Sequence, residues 1–546
     1  MSEVLVVIPD YGDKHGVTRK NLRILGDKPL ISYSIKVAKK SEFKPDIIVS
    51  TNDIEIINIC KKMNVAYTER PNQLDGDDVT LDPIVHHALS YQEKIKNKTY
   101  DLVITLQATS PLLKVQTLDE AIKSFLDSEY DTYVSAINRP HLAWHEKNGE
   151  FYPLFEKREN RKYLPKHLEE NGTFVISNRQ IVTPESRFGK RVYVFEISKQ
   201  EGLEILSLDD WMIAESVLNR RNILIRLEGY KEIGMGHIYR GLQLASALFE
   251  HNVFFAVSEK SRLAVEKITE RGYECHVIKS NKEVPDIIRK CKVNILVNDI
   301  LDTDKAYIDT IKECDCRVVN LEDLGSGIQS ADVVINDLYS KQNDLPNCYW
   351  GQKYYCLKDE FLIAEPKEHS DEVKEVLMMF GGTDPCNITE KAICAIAQLK
   401  EEYKDVHYTV IMGAGNKNGA QVKKLADSKG LNITFRKDVS VVSEYMSKAD
   451  VALSSQGRTM FELAHMTVPT VVIAQNKREL THEFGYLANG FINLGLGENI
   501  DVSTIRETLT WLYRSPQIRK QIKMQMSGYQ LEKGIHRVKK LILGEK

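Results

Sequence analysis

At 546 residues the chain is too long for one hydrophobic core, and roughly three or four domains are expected. Its 42% hydrophobic and 28% charged residues describe an ordinary globular protein. Lys plus Arg number 74 against 77 Asp plus Glu, and a net charge of -3 excludes a global electrostatic footprint for nucleic acid or an anionic membrane.

Small-molecule partners are therefore expected. No charged-then-apolar leader and no bilayer-length apolar run is visible, so the sequence predicts no membrane association and a cytoplasmic location. The nine cysteines are scattered; only Cys314 and Cys316 lie close, without the spacing of a zinc site, and they read as reduced core thiols.

From Met1 to about Arg220, strand-like and helix-like segments alternate. Val4 to Ile8, Ile47 to Ser50, Leu102 to Leu106 and Tyr133 to Ile137 predict strands. Leu30 to Lys40, Asp53 to Met63, Asp82 to Ile95 and Leu118 to Ser128 predict helices. The alternation implies a mostly parallel sheet covered on both faces, with ligands beyond the carboxyl ends of its strands. The loop after Ile8 carries glycines and basic residues suited to phosphates, or is simply a solvated surface loop.

These residues carry a resemblance. Ile8-Pro9, Gly16, Arg19-Lys20-Asn21, Gly26-Asp27-Lys28-Pro29-Leu30, Ser50-Thr51, Arg70-Pro71, Gln107 with Thr109-Ser110-Pro111-Leu112, Asn171-Gly172 and Asp210-Trp211 with Ala214-Glu215 fall in the order found in CMP-sialic acid synthetases. The resemblance implies a nucleotide-diphospho-sugar-transferase (GT-A-like) fold that joins a sugar acid to CMP from CTP with Mg2+, here as a homodimer through this part. It places Gly16, Arg19 and Lys20 at the triphosphate, with Lys20 catalytic, and Gln107 and Asn171 at the base or sugar.

The departures are equally specific. Asp10-Tyr11 and Lys14-His15-Gly16 replace the family's usual arginine and Ser-Lys-Gly; Leu113 replaces an arginine, with Lys114 next to it; Glu169-Glu170 replaces the arginine before Asn-Gly. The late Asp-Ile-Asp metal motif reads Glu204-Ile205-Leu206. Leucine cannot ligate a hard cation, which leaves Glu204 and Asp209 as the metal candidates. Weak or altered activity of this part is the expectation.

A helix-like run, Asp210 to Leu218, leads without a Gly/Ser-rich or Pro-rich linker into a strand pattern, Asn222 to Leu227. Gly234-Met235-Gly236 then turns into a helix at His237-Ile238-Tyr239-Arg240. Free N–H groups at such a helix start favour a phosphate or carboxylate. His237 at that mouth reads either as a helix cap or as a general acid or base.

Further strands are predicted at Val253 to Val257, Glu274 to Ile278, Asn294 to Asn298, Arg317 to Asn320 and Val333 to Ile335. After a charged, Pro-containing passage, Ala364 to Glu372, a second set follows: Val376 to Phe380, Tyr408 to Met412, Asn432 to Arg436, Val451 to Ser454 and Thr470 to Ala474. Three domains are implied, at residues 1–220, 221–365 and 366–546, the last two facing one another across a cleft. Gly381-Gly382-Thr383-Asp384 and Ser454-Ser455-Gln456-Gly457 end strands of the later set. Glu462, on the next helix, reads as a ribose acceptor or as a first-turn helix charge.

Over this second part the order Arg226, Gly236-His237, Arg240, Leu244-Ala245, Asp299, Glu322-Asp323, Ala331-Asp332, Gly381-Gly382-Thr383-Asp384, Ser454-Ser455 and Glu462 resembles the UDP-sugar hydrolase of the pseudaminic acid pathway and its spore-coat glycosyltransferase-like relatives. The resemblance implies a two-lobed GT-B module. In it His237 helps water displace UDP; Gly236, Arg240 and Asp299 join the substrate site; and Gly381, Gly382, Thr383, Ser455 and Glu462 hold UDP. Ile300-Leu301 and Phe461 depart from the hydrolase pattern. The expected whole is a bifunctional enzyme of nonulosonic-acid or surface-glycan synthesis. The alternatives are a GT-B glycosyltransferase fused to a non-catalytic nucleotidyltransferase-like domain, or a non-catalytic sugar-nucleotide-binding assembly protein.

Overall fold

The computed structural model describes residues 2–10, 17–75, 78–230, 236–413, 415–437 and 439–545. The chain divides into two compact units, Met1–Arg220 and Arg221–Lys546.

The first unit is built on a seven-stranded sheet in the spatial order Val192–Ile197, Thr132–Asn138, Leu168–Asn178, Leu102–Leu106, Val4–Pro9, Asp46–Ser50, Ala66–Thr68. The apolar run Val4–Pro9 is buried along its whole length because it sits near the middle, paired in parallel with Asp46–Ser50 and Leu102–Leu106. The predicted helices appear as Ile31–Lys40, Ile54–Lys62, Leu81–Lys96 and Val115–Leu126. Leu168–Asn178 has no counterpart among the predicted strands. It runs antiparallel to both neighbours, with a register shift between Glu170 and Val175, and that irregularity breaks the alternation a strand would show in sequence.

The second unit contains two wholly parallel sheets. The first runs Glu274–Ile278, Asn252–Ser258, Asn222–Leu227, Ile295–Asp299, Arg317–Leu321, Val333–Asn336, Cys348–Trp350. The second runs Ile433–Lys437, His407–Met412, Glu375–Met379, Val451–Ser455, Thr470–Ala474, Phe491–Leu496. Each makes a separate α/β lobe with ligand-competent loops at its strand ends. The last helix, Gly534–Leu543, does not stay with the second lobe. Val538, Ile542 and Leu543 join the core of the first lobe, and the Arg221 guanidinium donates to the Leu543 carbonyl at 2.6 Å. By packing, the terminal helix of the expected 366–546 segment thus belongs to the 221–365 lobe.

All nine cysteines are free of disulfides, and no helix among the described residues is long and apolar enough to cross a membrane.

Candidate active sites

In the first unit, the carboxyl ends of Val4–Pro9 and Leu102–Leu106 open onto a cavity of about 150 Å³ lined by Pro9, Lys20, Asn21, Leu81, Gln107, Ala108, Thr109 and Glu204. Lys20 opens a short 3-10 turn, Lys20–Leu22, and is buried. Gly172 has a left-handed backbone, φ 64, and a Cβ there would lie 2.4 Å from the Gln107 amide nitrogen. Only glycine both makes that turn and leaves Gln107 its place.

Asn171 is buried, with its Oδ1 accepting from Ser135 Oγ at 2.8 Å. Its Nδ2 is a buried donor without a partner among the described residues. Such a donor is costly unless a ligand or water meets it.

Arg19, expected at the triphosphate, stands apart from this cavity. Its guanidinium pairs with Glu55, and with Asp53 at 3.7 Å, and it does not line the cavity. Two carboxylates at the start of helix Ile54–Lys62 draw it there. Gly16 lies outside the described residues, as do Tyr11, Lys14 and His15.

Of the two metal candidates, Glu204 lines the cavity, whereas Asp209 is exposed on the first turn of helix Leu208–Leu218. Burial pushes the Glu204 carboxyl above its ordinary value, against a Thr109 hydrogen bond and the Lys20 charge that lower it. A desolvated carboxylate beside a phosphate-sized cavity fits Mg2+, which takes one or two protein carboxylates and completes its shell with substrate phosphates and water. Asp10, by contrast, is consumed by Asn21 at 2.6 Å and Thr51 at 2.6 Å.

In the second unit, helix Gly236–Ala247 carries His237 and Arg240 against the carboxyl end of Ile295–Asp299, whereas Gly234 and Met235 of the predicted turn lie outside the described residues. His237 Nδ1 lies 2.5 Å from Asp299 Oδ1. A carboxylate only accepts, so Nδ1 donates and Nε2 is left as the basic nitrogen. Asp299 is fully buried and also accepts from Arg240 Nε at 2.8 Å. Arg240 Nη1 continues to Glu322 at 2.6 Å.

Arg458, from the second lobe, meets the same Glu322 and reaches Asp337 at 2.9 Å. Burial raises the Asp299 and Glu322 carboxyls, but Arg240, with His237 for Asp299 and Arg458 for Glu322, outweighs it and holds both below the usual carboxylate range. Asp299, expected at the substrate site, is thus engaged by both His237 and Arg240.

A cleft of about 130 Å³ is lined by Gly236, Tyr239, Arg240, Gln243, Tyr355, Cys356, Lys358, Arg458, Thr459 and Glu462. Glu462 is buried on helix Thr459–His465 and pairs with Lys358 at 2.7 Å. Gly381 and Gly382 are exposed at the end of Glu375–Met379; Gly381 has φ 75, and a Cβ there would stand 3.6 Å from Ser455 Oγ. Thr383 is half-buried beside them, while Asp384 caps the following helix by accepting from Ile388 and Thr389 N–H at 2.8 and 2.9 Å.

Sequence reasoning missed Arg458 and Lys358. Arg458 left a signal: a cation at the start of a helix opposes the helix dipole and implies a specific anionic partner.

Residues 6–150 match the family model for cytidylyltransferases, and residues 376–534 match that for the C-terminal domain of glycosyltransferase family 28. An uncharacterised protein of Methanocaldococcus jannaschii is 28% identical over 275 residues, 47% of this chain and 56% of that protein. The post-translational flagellin modification protein B of Campylobacter coli is 27% identical over 237 residues, 41% of this chain and 98% of that protein. The N-acylneuraminate cytidylyltransferase of Escherichia coli is 24% identical over 228 residues, covering 40% of this chain and 53% of the enzyme. The chain thus spans about half the length of the archaeal and E. coli relatives. Among solved structures, MurG of Acinetobacter baumannii has a TM-score of 0.46 at 13% identity, covering 59% of this chain and 99% of that one.

The architecture is a nucleotidyltransferase-like domain followed by a pair of parallel α/β lobes, the second of which carries the glycosyltransferase match. More particularly, the first is a cytidylyltransferase domain with CMP-sialic acid synthetase homologues, and the second lobe of the pair is a family 28 glycosyltransferase C-terminal domain.

Proposed function

We propose that the chain is a bifunctional sugar-nucleotide enzyme of nonulosonic-acid or surface-glycan synthesis. Its first unit joins a sugar acid to CMP from CTP, and its second breaks the glycosyl–diphosphate bond of a UDP-sugar. The observation that carries the second activity is the His237–Asp299 contact, because it fixes the ring tautomer and orientation a general base needs.

In this reading Asp299 holds the imidazole by its Nδ1–H, and Nε2 takes the proton of the attacking oxygen as it bonds to the anomeric carbon. UDP leaves with the bonding electrons. Arg240 neutralises Asp299 and keeps it ionised, so the imidazolium formed stays paired. Gly381, Gly382, Thr383 and Ser455 offer backbone and hydroxyl donors to the diphosphate, and Glu462 accepts from ribose.

In the first unit, Lys20 meets the triphosphate, Gln107 and Asn171 face the base or sugar, and Glu204 would hold Mg2+, which supplies countercharge to the phosphates. The unpartnered Asn171 Nδ2 supports a polar ligand at that end of the cavity.

Water as the acceptor makes the second unit a hydrolase. The family 28 match favours a second reading, in which a sugar hydroxyl attacks in place of water. Mass spectrometry of products from candidate UDP-sugars, with and without acceptor sugars, separates the two. Free sugar plus UDP without acceptor supports hydrolysis; acceptor-dependent turnover supports transfer. His237→Asn should lower either turnover by roughly two to four orders of magnitude with UDP affinity nearly intact. A mutant of undiminished turnover removes His237 from the chemistry.

A further inference from the structure

The first unit contains a side-chain cluster that neither proposed reaction uses. His167 and Glu169 flank Leu168, where strand Leu168–Asn178 begins, and alternate residues of a strand share a face. His141 comes from the loop leaving Thr132–Asn138, the neighbouring strand, and the two segments are held together by Arg139 N–H donating to the His167 carbonyl at 2.8 Å. His141 Nε2 lies 3.8 Å and His167 Nε2 3.7 Å from the same oxygen, Glu169 Oε1. One donor atom from each of the three residues falls within 4.8 Å of the others.

A second observation concerns the proton on His141. Its Nδ1 faces the Arg139 carbonyl oxygen, which can only accept, so Nδ1 carries the hydrogen. Nε2 is then the ring nitrogen turned toward the carboxylate oxygen, the donor atom a bridging metal would take. A backbone carbonyl holding the distal N–H of an imidazole is also the usual support of a metal-bound histidine. Arg139 Nη1, 3.4 Å from the other oxygen of Glu169, leaves Oε1 to the two rings.

The geometry points to a divalent transition-metal site, with Zn2+ as its first occupant, formed by His141, His167 and Glu169. Metal–ligand bonds of about 2.0–2.2 Å set donor separations of about 3.4 Å in a tetrahedron, so small side-chain rotations close the cluster. Two imidazoles and one carboxylate suit zinc or a similar borderline metal and do not suit Mg2+, the ion expected at Glu204. Three protein ligands leave coordination open for water or an oxygen donor. The site lies two residues from Asn171 in sequence, so a bound metal would also brace the strand start beside the proposed sugar contact. Glu169 is one of the residues that replace the arginine ordinarily found before Asn-Gly, which makes the cluster a property of this chain's departure from the synthetase pattern.

The test uses the full-length protein, stripped with a chelator and titrated with Zn2+ against a chromophoric competitor, and separately with Co2+ by absorption. The expected result is one Zn2+ equivalent of micromolar or tighter affinity, abolished in His141→Ala and weakened at least tenfold in Glu169→Gln. Co2+ should give weak visible bands without the intense charge-transfer absorption of thiolate ligation, which excludes the nine cysteines. These side chains are about one-third exposed, so both variants should keep the wild-type circular dichroism. If either fails to fold, the wild-type stoichiometry and Co2+ spectrum decide. No tight equivalent in the wild type, unchanged binding in the folded variants, or a thiolate spectrum overturns the site; a proton as the bridging cation would give the first of these.

Discussion

At the scale of single residues, His237 and Glu462 show how differently two sequence candidates fare once their neighbours are known. His237 gains a partner that orients it, so its basic nitrogen is defined by Asp299 rather than by its own position on the helix. Glu462 is buried and paired with Lys358, so it is neither a solvated helix charge nor a free acceptor. Ribose hydroxyls would have to share it with the ammonium. Glu462→Ala should weaken UDP binding about ten- to a hundredfold by calorimetry, from the loss of charge-assisted hydrogen bonds. CTP binding by the first unit should be unchanged. Equal UDP affinity in mutant and wild type would remove Glu462 from the nucleotide site.

At the scale of elements, the turn at Asn171-Gly172 and the helix starting at Thr459 each join local backbone chemistry to a site. Gly172→Ala meets both a left-handed φ of 64 and a contact 2.4 Å from Gln107. It should destabilise the first unit by about 1–2 kcal/mol. It should also weaken CTP binding by displacing Gln107, read by thermal unfolding and calorimetry on the same sample. Arg458→Ala would leave Asp337 only its longer 3.9 Å contact with Arg240, and part of the Glu322 charge uncompensated, in a buried setting, a loss of about 3–5 kcal/mol for a broken buried pair. Arg458→Lys should recover only part of this, because one ammonium cannot reproduce a planar fork reaching two carboxylates. Urea unfolding of the three proteins is the measurement, and full rescue by lysine would argue that charge alone matters.

These two elements also show what was legible in the sequence. The apolar runs that become central parallel strands were readable because burial on both faces demands continuous β-branched residues, and Asn222–Leu227 appears with the bounds its pattern suggests. Leu168–Asn178 was not readable, because its polar, irregular first half serves a register shift and a side-chain cluster rather than a core. The helix that carries His237 was visible locally. The contacts of the Asp299–Arg240–Glu322–Arg458 chain were not, since its members come from four separate segments and meet only through the tertiary fold.

At the scale of the whole molecule, that buried network makes the second unit's stability dependent on pH in a direction that can be worked out. Asp299 and Glu322 sit in positions where burial alone would raise their carboxyls, yet the arginines, aided by His237, bring both below their ordinary values of 3.8 and 4.5. The unfolded chain therefore binds protons more readily than the folded one as the pH falls. Stability from these groups is complete above the unfolded values and is lost as pH drops through about 4.5 toward the lowered folded ones. Urea unfolding at pH 7, 5, 4 and 3, with limited proteolysis to mark which unit has opened, should show the 221–546 unit losing resistance below about pH 4.5. Glu322→Gln should flatten that acid dependence while lowering stability at pH 7, because an amide still hydrogen-bonds Arg240 and Arg458 but no longer neutralises them. An acid profile of the second unit that is unchanged by this substitution would mean that the ion network does not couple folding to protonation. The acid sensitivity would then have to come from carboxylates elsewhere in the unit.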